Sequence, residues 1–516
     1  MTNFDLSHKV FEFFTQAEVS TVIVCAGARN APLVMALEKS HLKVIPFFEE
    51  RSASFFALGL IKAYGKPVAI ICTSGTAVAE ILPAAIEATY QGLPLVIVSA
   101  DRPKSYRQSG APQSIQQVGL FSSYVESVHD LDVHSKNFDF EWSLTQPIHL
   151  NVCFDEPLID QSSSQFAENP VRLTHNNDSS FSRHQIEIKN PLIIVSELAV
   201  HEIKFVQNFL VHSKAMIYAE SLSQLSKAEN LQNQLLKSSN ALIKKVFQEK
   251  SFDAVIRIGG IPTIRFWRDL EFEFAELPVF NFTKLKYSGL ARSSQMFNLA
   301  QLSDVVIKGS TQGHHKILRR DQDLQKNKLE LIKKYPFSEQ ACVYRFSEIN
   351  GSRPLYLGNS LPIRHWDAFT HDGPTRIAAN RGANGIDGQV STYLGWSENL
   401  KSSACLIGDL TAMYDLAALG LAAHLQPHNR QIVVLNNYGG QIFKRVFKND
   451  LFINPHQIQF QHWAKMWNWD YLLINRTEDW SKLIEQNILN TVIEIQPDAD
   501  QTKLFWDEWD KLCQKI

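Results

Sequence analysis

Short apolar runs alternate with amphipathic stretches along most of this chain, and that alternation constrains the fold more than any other feature. In the first third, TVIVCAG (21–27), VIPFF (44–48), VAIICT (68–73), PLVIVSA (94–100) and PIHLNVC (147–153) have strand character, mostly with a helical period between them. A second series comprises PLIIVS (191–196), AMIYA (215–219), DAVIRIGG (253–260), LPVFNF (277–282) and DVVIKG (304–309). A third comprises PLYLG (354–358), TRIAA (375–379), ACLIG (404–408), QIVVLNN (431–437) and VIEIQ (492–496). Alternation of this kind implies mainly parallel sheets covered by helices on both faces. A chain of 516 residues also exceeds one ordinary core. The expected fold class is therefore α/β, with three consecutive α/β domains at 1–160, 188–320 and 346–516. A polar, Ser- and Asn-rich linker is expected over 161–187 and a charged helical one over 321–345.

Composition excludes several classes of function. A formal net charge of −2 argues against a general nucleic-acid binder. The six cysteines lack metal-ligand spacing and several sit inside apolar strands, which predicts buried thiols rather than a disulfide framework or zinc site. The chain shows no signal-peptide pattern and no run of eighteen apolar residues, so a cytoplasmic protein without membrane insertion is expected.

The stretch FFEERSASFFALGL (47–60) places two carboxylates where a strand hands over to an apolar helix. Acidic residues suit a helix N-terminus, and an isolated pair would need no further account. In the third region, GDL (408–410) and NNYGG (436–440) each follow an apolar strand. Carboxylate, amide and carbonyl oxygens are hard donors suited to Mg²⁺, and glycine permits close approach to a ligand. Either half alone reads as an ordinary turn; together, each at a strand end, they are far more specific.

The GDL…NN pair resembles the diphosphate- and metal-binding motif of thiamine-diphosphate (ThDP) enzymes, with Leu410 in place of the usual second glycine. A narrower resemblance is to the menaquinone-pathway 2-succinyl-5-enolpyruvyl-6-hydroxy-3-cyclohexene-1-carboxylate synthase family. It is carried by AGARNAPL (26–33), EERSASFFALGL (49–60), TSGTAVAEILPAAIEA (73–88), ADRP (100–103) and SGAPQSIQQ (109–117). GNSLPIR (358–364), ANRGANGIDG (379–388), GDLTAMYDL (408–416) and NNYGGQIF (436–443) complete it, while the middle region matches loosely. The resemblance implies a pyrimidine-binding first domain and a diphosphate-binding third one. It makes Glu50 the catalytic carboxylate that bonds N1′ of the cofactor, with Glu49 structural. Phe47, Phe48 and Phe55 are expected to supply an apolar setting that raises the Glu50 pKa. Ser360, Ile386, Gly408, Asp409, Leu410, Thr411 and Asn437 become cofactor contacts, Ile386 beneath the bend of ThDP. Asp409, Asn437 and the Gly439 carbonyl become ligands of Mg²⁺ or Mn²⁺.

The implied substrates, 2-oxoglutarate and isochorismate, are both dicarboxylates, which guanidinium groups bind through paired hydrogen bonds. Arg29, Arg102, Gln113, Arg364 and Arg381 are the implied substrate contacts, joined by Arg265, which aligns loosely with a family lysine. Three departures stand out: Ala26 and Ala28 in place of the proline and serine of PGSR, and Pro112 where Asn is common. The implied activity is that of a transferase of aldehyde or ketone residues, decarboxylating 2-oxoglutarate and adding the product to isochorismate. A homodimer or dimer of dimers is implied, with Glu50 of one subunit serving the diphosphate site of another. Two alternatives are another ThDP-dependent carboligase or decarboxylase, and a non-catalytic ThDP-binding protein.

Overall fold

The computed structural model describes residues 1–515 apart from 161–169, 176–183, 238–239, 310–312, 371–372, 375, 448 and 486–488. Much of the expected 161–187 linker therefore lies outside the described residues. Two compact units are formed, one from residues 1–179, 382–401 and 411–427, the other from 180–381, 402–410 and 428–516. Among the described residues, no helix is long and apolar enough to cross a membrane. All six cysteines are free thiols, and all but Cys513 are buried.

The first unit is built on a six-stranded sheet, in the order Lys43–Pro46, Thr21–Val24, Val68–Cys72, Leu95–Asp101, Ile148–Cys153 and Val128–Leu131. Every pairing is parallel. The central strands are apolar on both faces because helices cover both faces. On one side Phe13, Phe14, Phe138, Phe140 and Trp142 fill the core. Helix Glu50–Tyr64 is apolar almost all round, and its residues from Ser52 to Ile61 are buried. It crosses helix Gln389–Trp396 at a glycine pair: a Cβ on Gly59 would overlap the Thr392 carbonyl oxygen, and one on Gly395 that of Phe56. Two backbones touch here, so neither helix tolerates a side chain at the crossing.

The second unit holds two further six-stranded sheets. One runs Leu235–Leu236, Met216–Ala219, Pro191–Val195, Ala254–Ile258, Val279–Phe282, Gln295–Phe297. The other runs Ile377–Ala378, Leu355–Leu357, Ser402–Gly408, Asn429–Leu435, Thr491–Ile495, Asp470–Ile474. Both are wholly parallel. The run at 304–309 does form a strand, Val305–Lys308, but it pairs with Ile186–Lys189 in a separate ribbon rather than joining the sheet. Its residues alternate between half-buried and exposed, as suits a two-stranded ribbon. Helices His314–Lys334 and Glu339–Asn350 occupy the expected charged helical stretch.

Replacing Gly59 by Ala is expected to destabilise the chain by about 1–3 kcal/mol through overpacking. The control Gly119→Ala, with no atom within 4 Å of the added Cβ, should be close to neutral. Urea unfolding midpoints of the two variants check this.

Candidate functional site

In an open parallel sheet, a crevice forms where connections leave neighbouring strands in opposite directions. In the first unit that switch lies between Thr21–Val24 and Val68–Cys72. The turn after the first of these is closed by Asn30, which donates from Nδ2 to the Cys25 carbonyl (2.9 Å) and accepts at Oδ1 from Gly27 N–H (2.8 Å). Gly27 lies against Thr73, whose side chain any Cβ there would overlap. Thr73 Oγ1 is buried without a hydrogen-bond partner among the described residues.

The two adjacent carboxylates divide their labour. Glu49 is the N-cap of helix Glu50–Tyr64, accepting from Arg51 N–H (3.0 Å) and Ser52 N–H (3.1 Å). Glu50, the first helical residue, is relieved of that task. Desolvation raises its carboxyl above the ordinary glutamate value; its own backbone N–H opposes the rise, while Glu49 and Glu80 add to it. Phe47 and Phe55 are buried as expected, but Phe48 is 68% exposed and contributes no burial within this chain.

Arg29 is buried, donates to the Phe154 carbonyl (3.2 Å) and lies 3.5 Å from Glu156. Arg102 donates from Nε to the Pro112 carbonyl (2.9 Å) and sits over the Tyr106 ring. That contact uses the one backbone group proline retains, so the Pro112 departure costs it nothing. Gln113 is exposed, with φ of 60°. The interior glutamine of the same segment is Gln117, which accepts from Gly75 N–H (3.0 Å) and donates to the Ala100 carbonyl and Asn151. Ile386 is half-buried in a loop that Glu87 pins by accepting from Gly382 N–H and Ala383 N–H (2.8 and 2.7 Å). That loop borders a cavity of about 230 Å³, lined in part by Phe55, Leu82 and Ile86.

In the second unit, the third sheet switches direction between Leu355–Leu357 and Ser402–Gly408, so GNS and GDL leave adjacent strands at one edge. Ser360 has φ of 74° and ψ of −130°, a conformation costly for a residue with a Cβ and the kind of strain that clusters at ligand sites. Arg381 donates to Asn359 Oδ1 (2.7 Å), and Arg364 donates to the Thr263 carbonyl (3.3 Å). Arg265 is exposed, precedes the short helix Phe266–Asp269 and is paired with Asp269 at its end.

Asp409 opens helix Asp409–Tyr414, next to Gly408 at the end of its strand. Its Oδ1 accepts from Leu410 N–H (2.7 Å) and its Oδ2 from Gly439 N–H (2.8 Å), joining the GDL and NNYGG loops. Thr411 is buried. His456, which no motif pointed to, places Nε2 3.2 Å from Asp409 Oδ2. Burial raises the Asp409 carboxyl, and the Gly439 and Leu410 amides oppose the rise. The Gly439 carbonyl accepts from Gln441 N–H (2.8 Å) and retains a second lone pair.

The two asparagines differ in one decisive respect. Asn436 is satisfied at both ends, donating to Glu494 (2.7 Å) and accepting from Tyr438 N–H (3.1 Å). Asn437 donates to Glu339 (3.2 Å), while its Oδ1 is buried with no partner among the described residues. An orphaned amide oxygen, a carboxylate bonded to the same loop and a carbonyl two residues on are donors whose chemistry fits a hard divalent cation.

Residues 4–120 match the model of the thiamine pyrophosphate enzyme N-terminal TPP-binding domain. The 2-succinyl-5-enolpyruvyl-6-hydroxy-3-cyclohexene-1-carboxylate synthase of Bdellovibrio bacteriovorus is 44% identical, with 100% of each chain covered. The synthase of the same name from Akkermansia muciniphila is 36% identical over 93% of this chain and 94% of its own. That of Lysinibacillus sphaericus is 31% identical over 99% and 98%. The chain belongs to this synthase family. It is accordingly a ThDP-dependent enzyme.

Behind the arginines of this synthase-family chain lies a feature the motifs did not announce. Glu220 and Asp367 are both deeply buried, and neither falls in a motif segment. Glu220 accepts from Ser196 Oγ–H (2.8 Å), Thr263 N–H (2.5 Å) and Ile264 N–H (3.0 Å); Asp367 accepts from Ser221 N–H (2.9 Å). Desolvation, then the charge of Asp367, holds the Glu220 carboxyl above its ordinary value, with Arg381 opposing. Glu220 so anchors the loop leading to Arg265, while Asp367 shares helix Leu361–Phe369 with Arg364.

A carboxyl whose folded value is raised binds its proton more tightly in the native state. Its contribution to stability is complete below the unfolded value and is lost as pH rises through the folded one. The Glu220→Gln variant mimics the protonated acid, its amide donating to Ser196. Its thermal midpoint should fall less than that of the wild type between about pH 5 and about pH 8.

Proposed function

We propose that this enzyme decarboxylates 2-oxoglutarate and joins the remaining succinyl semialdehyde unit to isochorismate by 1,4-addition. The products are CO₂ and 2-succinyl-5-enolpyruvyl-6-hydroxy-3-cyclohexene-1-carboxylate, an intermediate of menaquinone biosynthesis. The observation that carries this reading is the likeness to the Bdellovibrio bacteriovorus synthase of that name, which covers 100% of each chain.

ThDP, when bound, supplies the nucleophilic carbon and the electron sink that decarboxylation of a 2-oxo acid needs. Glu50 would hold a proton between its carboxylate and N1′ of the aminopyrimidine, a task favoured by its raised pKa. Asp409, Asn437 and the Gly439 carbonyl would ligate Mg²⁺ or Mn²⁺; the orphaned Asn437 oxygen supports this set. Ser360, Gly408, Leu410 and Thr411 would contact the diphosphate and Ile386 the underside of the bent cofactor. Leu410 N–H, now given to Asp409, would be released or shared in doing so. Arg29, Arg102, Arg364, Arg381, Arg265 and Gln113 would bind and orient the two dicarboxylates, turning a bimolecular encounter into a positioned one. We assign the first sheet to the pyrimidine side and the third to the diphosphate side of a homodimer or dimer of dimers, active in the cytoplasm. In that assembly, Glu50 of one subunit serves the diphosphate site of its partner.

Supplied with ThDP, Mg²⁺ and 2-oxoglutarate, the enzyme should release CO₂ rapidly only when isochorismate is also present and consumed. The Glu50→Gln variant should lose about 10²–10⁴-fold in kcat. CO₂ release without consumption of isochorismate would mean a different acceptor, and an unaffected Glu50→Gln variant would remove Glu50 from the chemistry.

A further inference from the structure

The proposed metal ligand Asn437 has an amide that can present either its oxygen or its NH₂ to a cation, and only the oxygen binds. Something must choose between them. Among the described contacts of its side chain, the one hydrogen bond runs from Nδ2 to Glu339 Oε1 at 3.2 Å, while Oδ1 is left bare. A carboxylate accepts and cannot donate, so it dictates that the nitrogen faces it and the oxygen turns away.

Glu339 is itself firmly placed. It opens helix Glu339–Asn350, whose N-cap Ser338 accepts from Ala341 N–H (3.2 Å). Its own N–H donates to Thr502 Oγ1 (2.9 Å), and it is 3% exposed. His365 Nε2 lies 3.3 Å from the same oxygen, without hydrogen-bond geometry. The imidazole is buried, with its ring centroid 5.6 Å from that of Phe369 and 5.9 Å from that of Trp506. Burying a carboxylate is costly unless it is paired, and among the described residues this one accepts from the amide of Asn437, with His365 close by.

We propose that Glu339 is a positioning residue for the divalent metal, fixing the Asn437 amide with its oxygen toward the cation. Partners one step removed from a metal ligand orient it, and their loss typically weakens metal affinity by about 10–100-fold. This inference rests on the reading of Asn437 as a metal ligand and adds to it a residue outside every recognised motif.

The test is a titration of the full chain with Mn²⁺ in saturating ThDP, followed by electron paramagnetic resonance of the free ion. Glu339→Gln should weaken Mn²⁺ binding about 10–100-fold. Glu339→Asp keeps the charge but withdraws the acceptor, and should also weaken it. In an Asn437→Ala background, Glu339→Gln should have no further effect, because no amide remains to orient. An equal loss in both backgrounds would mean that only the distant negative charge matters, and would overturn the proposal. So would a Glu339→Asp variant that binds like the wild type. If Asn437→Ala itself leaves Mn²⁺ affinity unchanged, it is the ligand assignment that fails, and the inference fails with it.

Discussion

Parallel pairing obliges every strand of a sheet to end at the same edge, and each strand must then be followed by a crossover that returns to the opposite one. The consequence is an edge populated by turns that are free to vary, held in place by strands that are not. In this chain the constraint operates in three six-stranded sheets. At the switch points of the first and third sheets, the turns contain AGARN, TSG, GNS and GDL. Residues far apart in sequence reach one edge because backbone hydrogen bonds, not side-chain contacts, deliver them there. Side chains then do finer work: Asn30 closes its turn, and Asp409 ties two loops through amides on each.

What could be read from the sequence follows from the same physics. Central strands are covered on both faces, so their composition is mostly apolar, and each was legible. Edge strands are not so covered. Val128–Leu131 reads VHDL, Leu235–Leu236 is two residues long, and Asp470–Ile474 begins with an exposed aspartate. None carries a period that a single chain would reveal. The run Val305–Lys308 is a strand, as its composition indicates, but composition does not say which strand it pairs with.

The site was legible where resemblance supplied motifs and opaque where residues act through others. Gln117 and Gln113 lie four positions apart in one polar segment, and nothing in its composition says which turns inward. Pro112 looks like a loss of donors until its carbonyl is found accepting from Arg102. Glu220, Asp367, Glu339 and His456 are isolated acids and an isolated histidine in sequence. Their meaning comes from burial, which spacing does not encode, because the neighbours that bury them come from other elements.

Two adjacent pairs make the same point about function. Glu49 and Glu50 are chemically identical, as are Asn436 and Asn437. In each pair the fold spends one member on its own backbone: Glu49 caps the helix, and Asn436 closes the turn to Tyr438. The other member is left with a group free to act elsewhere, a carboxyl whose pKa burial raises in Glu50 and a bare amide oxygen in Asn437. A lone acidic or amide residue at such a turn would be drawn into capping it, since unmet backbone N–H groups at a helix or turn start compete for any oxygen within reach. Doubling the residue removes that competition. The first satisfies the backbone so that the second can remain available to a ligand, which is why a carboxylate pair at a strand-to-helix junction says more about function than either carboxylate alone.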